Sequence, residues 1–216
     1  MPKNLFIVIE GTDGSGKATQ VEALRKRVEE ARKVTVFSFP RYNTPTGQEV
    51  RAYLNSKYGN PVDLNPYFAS AFYGLDRAAA SEEISQALLS GHVIADRYIG
   101  SNLGHQGAKL SPEERKRYVE WDEDWEFNKL KIPKPDLTVC LHVPLEETLK
   151  AMERQGRQRD GLEIDEAYMQ RVIDTYLWLA RTKPDWVLVD CMQDERRKTV
   201  EKMFTGYKIQ KILMDE

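Results

Sequence analysis

Residues 5–20, LFIVIEGTDGSGKATQ, pass from an apolar run through a glycine-rich loop to Gly16-Lys17 and on into a helix-like stretch. No other part of the chain narrows its possible folds so far. Leu5 to Ile9 suit a buried strand, and Gly11, Gly14 and Gly16 permit a tight backbone path that aims successive N–H groups at an anion. The helix expected after Lys17, carrying Ala23, Leu24 and Val28, turns its positive dipole end toward the same anion, and the Lys17 ammonium reaches the outer phosphates. The spacing Gly11-x4-Gly16-Lys17 fits a P-loop. Ser or Thr normally follows the lysine and ligates Mg²⁺ through its hydroxyl; here the residue is Ala18.

Further along, short strand-like runs alternate with longer helix-like segments, the pattern of a parallel sheet covered by helices on both faces. The strands read Leu5–Glu10, Val34–Phe39, His92–Asp96, Leu137–Val143 and Trp186–Asp190. Helices are expected over Gln20–Ala31, Asn65–Ser90, Pro112–Lys131, Leu145–Gln155, Ile164–Thr182 and Asp194–Phe204. With 216 residues, 41% of them apolar, and no Pro/Gly/Ser-rich linker, the chain reads as one α/β domain.

A formal charge of −2 gives no overall basic field for a nucleic-acid polymer, so the expected ligand is small. No apolar stretch reaches the roughly 18 residues of a membrane span, and MPKNLF leads straight into the first strand without a signal peptide. A cytoplasmic location with no membrane partner is the expectation. Cys140 and Cys191 lack CxxC spacing and read as reduced core thiols.

Ligands of open α/β sheets bind beyond the carboxyl ends of the strands. In His92–Lys109 a strand ends at Asp96 and is followed by Arg97, Tyr98, Ser101, Asn102, His105 and Gln106. A carboxylate there suits a metal-bound water, and the adjacent guanidinium suits two-point grip of a phosphate.

Together these segments resemble the thymidylate kinase family. The resemblance rests on GTDGSGK near the start, FPRYNTPTG at 39–47, YGLDRAAA at 73–80, DRYIGSNLGHQ at 96–106, PKPDLTVCLHV at 133–143 and RQGRQRDGLEID at 154–165. It implies a P-loop NTPase three-layer fold, with a five-stranded parallel sheet flanked by helices, a small mobile lid over about 151–163, and commonly a homodimer. It further implies ATP, with Mg²⁺, as phosphoryl donor and dTMP as acceptor. The ATP site would be Gly11, Thr12, Asp13, Gly14, Ser15, Gly16, Lys17, Ala18 and Thr19.

For dTMP, the resemblance assigns Asp13 to the 3′-hydroxyl and the neighbourhood of the acceptor phosphate, and Arg97 to that phosphate. Arg41 or Tyr42 would also stand near the phosphate, and Phe39 either near the base or in the core. Tyr73 would stack on thymine and Arg77 donate to its O4; four residues apart, the two share a helical face. Asn102 would meet the polar edge of the base, with Ser101 and Gln106 close by. His105 stands where family members often carry tyrosine beside the sugar, next to the place of a 2′-hydroxyl.

The family takes its catalytic arginine from the P-loop or from the lid. This loop has none, so Arg154, Arg157 and Arg159 are the candidates, placed to neutralise charge on the transferred phosphoryl group. In the absence of a hydroxyl at Ala18, the metal would be held by ATP oxygens, water and an acid such as Asp96 or Glu163. Asp160 and Glu163 either lie at the lid hinge or cap the next helix. Trp121, Trp125 and Phe127 read as core or subunit packing. Two alternatives remain open, a related nucleotide or nucleoside kinase with another acceptor and a catalytically impaired nucleotide-binding regulator.

Overall fold

The computed structural model describes residues 3–155, 162, 165–193 and 196–197. Five parallel strands form its sheet: β1 (Phe6–Gly11), β2 (Val34–Ser38), β3 (His92–Asp96), β4 (Leu137–His142) and β5 (Trp186–Asp190), in the order β2-β3-β1-β4-β5. The expected three-layer fold is therefore present, with strand boundaries within a residue of those read from the sequence. β1 is central and buried at every position, as its apolar run requires. Its register with β3 pairs Ile9 with Asp96, and β3 with β2 pairs Asp96 with Ser38. The carboxyl ends of three strands thus meet at one place.

Helix α1 (Lys17–Glu29) leaves the glycine loop through Gly16, whose left-handed φ of 94° turns the chain into the helix. Residues Val21, Leu24 and Val28 on α1 pack with Ile7 and Ile9 of β1 and Ile94 of β3 in one of two apolar layers. The other layer includes Phe6, Val8, Val93, Ala95, Leu103, Tyr168, Val172 and Tyr176.

Several helices depart from the sequence reading. Helix α2 (Pro45–Leu54) was not expected; it starts at an N-cap Thr44, whose side chain accepts from the Gly47 N–H, with Pro45 following. The single helix expected over Asn65–Ser90 is two, α3 (Pro66–Ala78) and α4 (Ser81–Ser90). Ala80 and Ile84 are drawn fully into the core there and the Ser81 hydroxyl takes the carbonyl of Arg77, a break that no glycine or proline marks.

After Asp96 comes α5 (Ile99–Gly107), which is not among the helices expected from sequence. Its glycines disfavour a helix, but contacts override that preference. A Cβ at Gly100 would lie 2.8 Å from Glu10 Cγ, and one at Gly104 2.7 Å from the Tyr176 ring.

Helix α6 (Pro112–Glu123) opens with a Ser111/Glu114 capping box and passes into a π-helical turn, Asp124–Lys129, where one continuous α-helix was expected. Helices α7 (Leu145–Gln155) and α8 (Glu166–Thr182) follow as expected. The helix expected over Asp194–Phe204 is not present at its described residues, because β6 (Met192–Gln193) pairs antiparallel with β7 (Arg196–Arg197). Backbone groups there bond across to another strand instead of along a helix; residues 194–195 and 198–204 lie outside the described residues. Among the described residues, no helix is long and apolar enough to cross a membrane.

Candidate active site

The glycine loop wraps the carboxyl end of β1. Gly11 adopts φ 141°, and a Cβ there would come within 2.5 Å of the Leu141 carbonyl oxygen, so only glycine fits. Lys17 is 7% exposed; its Nζ donates 2.8 Å to the Thr12 carbonyl and lies 3.9 Å from the Asp13 carboxylate. Burial and the Arg97 charge lower its pKa to about 8, against the opposing pull of Asp13, Asp96 and Glu10. The hydroxyls of Thr12 and Ser15 are buried without a hydrogen-bond partner. A bound anion would relieve this cluster of cationic and donor groups.

Arg97 joins the loop to the strand end beside it. Its Nη1 donates 3.3 Å to the Gly11 carbonyl and 3.2 Å to Ser101 Oγ, and its Nη2 donates to Asp13. The backbone holds a left-handed φ of 66°, uncommon for a residue with a side chain. Glu10 braces that turn, a residue the sequence reading did not single out. Buried at the end of β1, its carboxylate accepts from the N–H groups of Tyr98 and Ser101, from the Ser101 hydroxyl at 2.8 Å and from Tyr176 Oη at 3.1 Å. Burial raises its pKa despite the nearby Arg97. The signal available in sequence was an acid set into an otherwise apolar strand immediately before the glycine loop.

Lys17, Asp13, Asp96 and Arg97 line a cleft of about 520 Å³, within the usual range for small-ligand sites. Gly14, Gly16, Ala18 and Thr19 line it too, while Gly11, Thr12 and Ser15 form the loop behind. Another part of the lining is aromatic, with Phe39, Tyr42, Tyr73 and Tyr98. Phe39 meets Tyr98 edge to face at 5.5 Å and belongs to the core while also lining the cleft. Arg77, Ser101 and His105 complete the constellation. Burial, then the Arg97 charge, lowers the His105 pKa to about 3, so the imidazole stays neutral, and its Nδ1 is buried without a partner.

Other candidates stand apart from the cleft wall. Arg41 does not line it: the guanidinium bonds Asp76 and Glu83, and its backbone N–H donates 2.8 Å to Asp76. Asp76, almost fully buried, also takes the Thr46 hydroxyl at 2.9 Å, tying the 39–46 segment to α3. Asn102 and Gln106 are buried behind the wall, the first with Nδ2 near Asp122 and Glu126, the second with Nε2 3.4 Å from Tyr53 Oη. Arg154 is exposed near the end of α7. Arg157, Arg159, Asp160 and Glu163 lie outside the described residues, although Leu162 reaches the cleft. No group of three acidic, His or Cys side chains among the described residues is arranged to hold a metal alone.

Fold and site define the class: a P-loop phosphotransferase whose glycine-loop cradle opens into the same cleft as an aromatic pocket. Comparison with known proteins narrows it. The family model described as thymidylate kinase matches residues 9–203. The thymidylate kinase of Mycobacterium tuberculosis (strain H37Rv) is 36% identical over 186 residues, 82% of this chain and 86% of the relative. That of Neisseria meningitidis serogroup B (strain MC58) is 31% identical over 214 residues, 95% and 98%. The solved structure of the Candida albicans thymidylate kinase superimposes with a TM-score of 0.73 at 26% identity, covering 97% of this chain and 92% of that one. The chain belongs to the thymidylate kinase family.

Proposed function

We propose that the protein transfers the γ-phosphate of ATP to dTMP, giving ADP and dTDP. The observation that carries the proposal is the position of Arg97, between the Lys17 cradle and the aromatic pocket in one continuous cleft. A guanidinium there grips an acceptor phosphate and aligns it with a donor on the glycine loop, which is most of what phosphoryl transfer asks of a protein. The acceptor phosphate is already nucleophilic near neutral pH, so transfer is direct and in line, with no covalent intermediate on the enzyme. Asp13, paired with Arg97 and close to Lys17, stands between the two substrates as a hydrogen-bond acceptor. Tyr73 and Arg77 read the thymine, whose carbonyl suits a donor where cytosine would oppose it with an amino group.

Mg²⁺ belongs to the proposal. The fit rests on Asp96, whose buried Oδ1 has no partner at the cleft, and Ala18 supplies no hydroxyl beside it. Asp96 would hold the ion or its waters, with Glu163 the other candidate acid, and the ion would neutralise charge on the ATP oxygens. Arg154, Arg157 and Arg159 would close over the γ-phosphate from a mobile lid. The chain acts as one domain, in the cytoplasm. A homodimer is part of the same reading: Phe68 at 48% exposure and Leu75 at 51%, seven residues apart on α3, form an apolar stripe beside Tyr67 and Trp121.

An ADP-release assay with Mg-ATP against dTMP, dUMP, dGMP, dCMP, UMP and no acceptor tests the reaction. Turnover that depends strongly on dTMP is expected. Preference for another acceptor would establish the sibling-kinase alternative. ATP binding with no turnover on any acceptor would establish the impaired regulator.

A further inference from the structure

Behind the aromatic part of the cleft lies a buried polar cluster that the transfer chemistry leaves unused. Arg77 lines the cleft yet is only 2% exposed. Its Nε donates 2.6 Å to Glu126 Oε2, its Nη2 donates to Glu126 Oε1, and its Nη1 donates 3.2 Å to the Tyr98 carbonyl. Glu126 is wholly buried and comes from the π-helical turn after α6. That turn is packed hard on α3, since a Cβ at Gly74 would fall 2.4 Å from Trp125 Cζ3. A second acid, Asp122, is also fully buried, and Asn102 Nδ2 lies 3.4 Å from both of its oxygens and from Glu126 Oε1.

One guanidinium cannot neutralise two buried carboxylates. Burial and the Glu126 charge hold the Asp122 carboxyl well above the usual range, against the pull of Arg77 and Asn102, which favours its neutral form. The charged members are then one cation and one anion in two-point contact. Such a pair differs from a bare guanidinium: its orientation is fixed, its charge is compensated, and its remaining N–H groups still donate. A compensated donor suits the carbonyl of an uncharged base, whereas an uncompensated one is a desolvated charge facing a neutral ligand.

We infer that Glu126 is a positioning residue for the acceptor, orienting and neutralising Arg77 toward the base carbonyl, with Asp122 held in reserve as the counterion that replaces it. This rests on Arg77 being the base-reading donor. The groups facing Asp122 are Arg77 from α3, Asn102 from α5, and Tyr118, Glu123 and Glu126 from its own helical segment; Glu123 is itself paired with Lys183. Removing the Glu126 charge takes away a neighbour that opposes Asp122 ionisation and leaves Arg77, which favours it. Asp122 in that variant therefore ionises at lower pH than in the wild type.

The test is the acceptor KM of Glu126→Gln over a pH series, with kcat, thermal melting and ATP binding measured alongside. At the acidic end, KM for dTMP is expected to rise roughly tenfold to a hundredfold with far less change in kcat, and to recover as pH rises and Asp122 ionises. Because the dTMP phosphate itself titrates at about pH 6, each KM is read as its ratio to the wild-type KM at the same pH, and it is this ratio that should recover in Glu126→Gln. In the double variant Asp122→Asn/Glu126→Gln, KM should stay high at every pH. Should Glu126→Gln lose the fold, Glu126→Asp keeps the charge but shortens the reach, and a raised KM without pH recovery is expected. A wild-type KM in the Glu126 variants, or a recovery of the KM ratio to wild type that survives in the double variant, would overturn the inference. Arg77→Lys separates the two levels. If it leaves acceptor KM and the preference for dTMP over dCMP untouched, the base-reading role of Arg77 fails; if it moves both while the Glu126 variants move neither, only the positioning role fails.

Discussion

Lys17→Met is expected to abolish turnover while stabilising the nucleotide-free protein. Methionine keeps an unbranched stem of similar volume in a site that is almost closed to solvent, so packing changes little. What disappears is a buried ammonium held beside Arg97. The fall of its pKa from 10.5 to about 8 corresponds to about 3 kcal/mol of destabilisation by the charged form at neutral pH. Loss of the 2.8 Å bond to the Thr12 carbonyl gives back about 1 kcal/mol, leaving a net gain of about 2 kcal/mol. For a chain of this size that raises the melting temperature by about 4–8 °C. The sign with pH follows from a folded-state pKa below the unfolded one. The penalty is complete below pH 8 and fades as pH rises toward 10.5, where the unfolded chain loses the same proton. Wild type and variant should therefore converge in alkali. Lys109, which burial also lowers to about 8, is common to both and cancels in the difference. Scanning calorimetry without nucleotide across that range is the assay. A variant that melts at or below the wild type at neutral pH, by an amount that does not vary with pH, would refute the reasoning.

Two further outcomes follow from close contacts and from the loop. Gly47→Ala would set a Cβ 1.9 Å from the Arg41 carbonyl oxygen and 2.8 Å from the Tyr42 nitrogen, both backbone atoms that cannot swing aside. A loss of about 1–3 kcal/mol in thermal unfolding is expected, with a higher acceptor KM because the 39–44 segment carries Phe39 and Tyr42. Ala18→Ser restores a hydroxyl at the exposed first turn of α1, and the Mg²⁺ concentration for half-maximal turnover should fall several-fold; an unchanged Mg²⁺ titration would show that the other ligands suffice.

The glycine loop, the five strands and the acid–arginine pair at the end of β3 were legible because each is written in local spacing. Positive φ at Gly11, Gly14 and Gly16 is a property of single residues, and a buried parallel strand is a short apolar run wherever it occurs. Helix α5 was hidden by its three glycines, which lower helix propensity; two of them, Gly100 and Gly104, are needed only because Glu10 and Tyr176 press against the helix. The break between α3 and α4 and the π-helical turn were hidden too, since nothing in their composition differs from a continuous helix.

By itself, then, the sequence determined the fold class, the glycine loop and several of the residues that line the cleft, Lys17, Tyr73 and Arg97 among them. Only the tertiary structure decided how those residues divide their work. Arg41 and Arg77 look alike in sequence, each an arginine near an aromatic. Folding turns Arg41 away from the cleft onto Asp76 and Glu83, while it buries Arg77 against a carboxylate 49 positions away at the edge of the cleft. Glu10 likewise reads as a misplaced acid until Tyr98, Ser101 and Tyr176 converge on it from distant segments. The physical reason is common to all three. A buried charge is tolerable only when partners satisfy it, and the identity of those partners is set by which distant elements pack together, information that no local window of sequence contains.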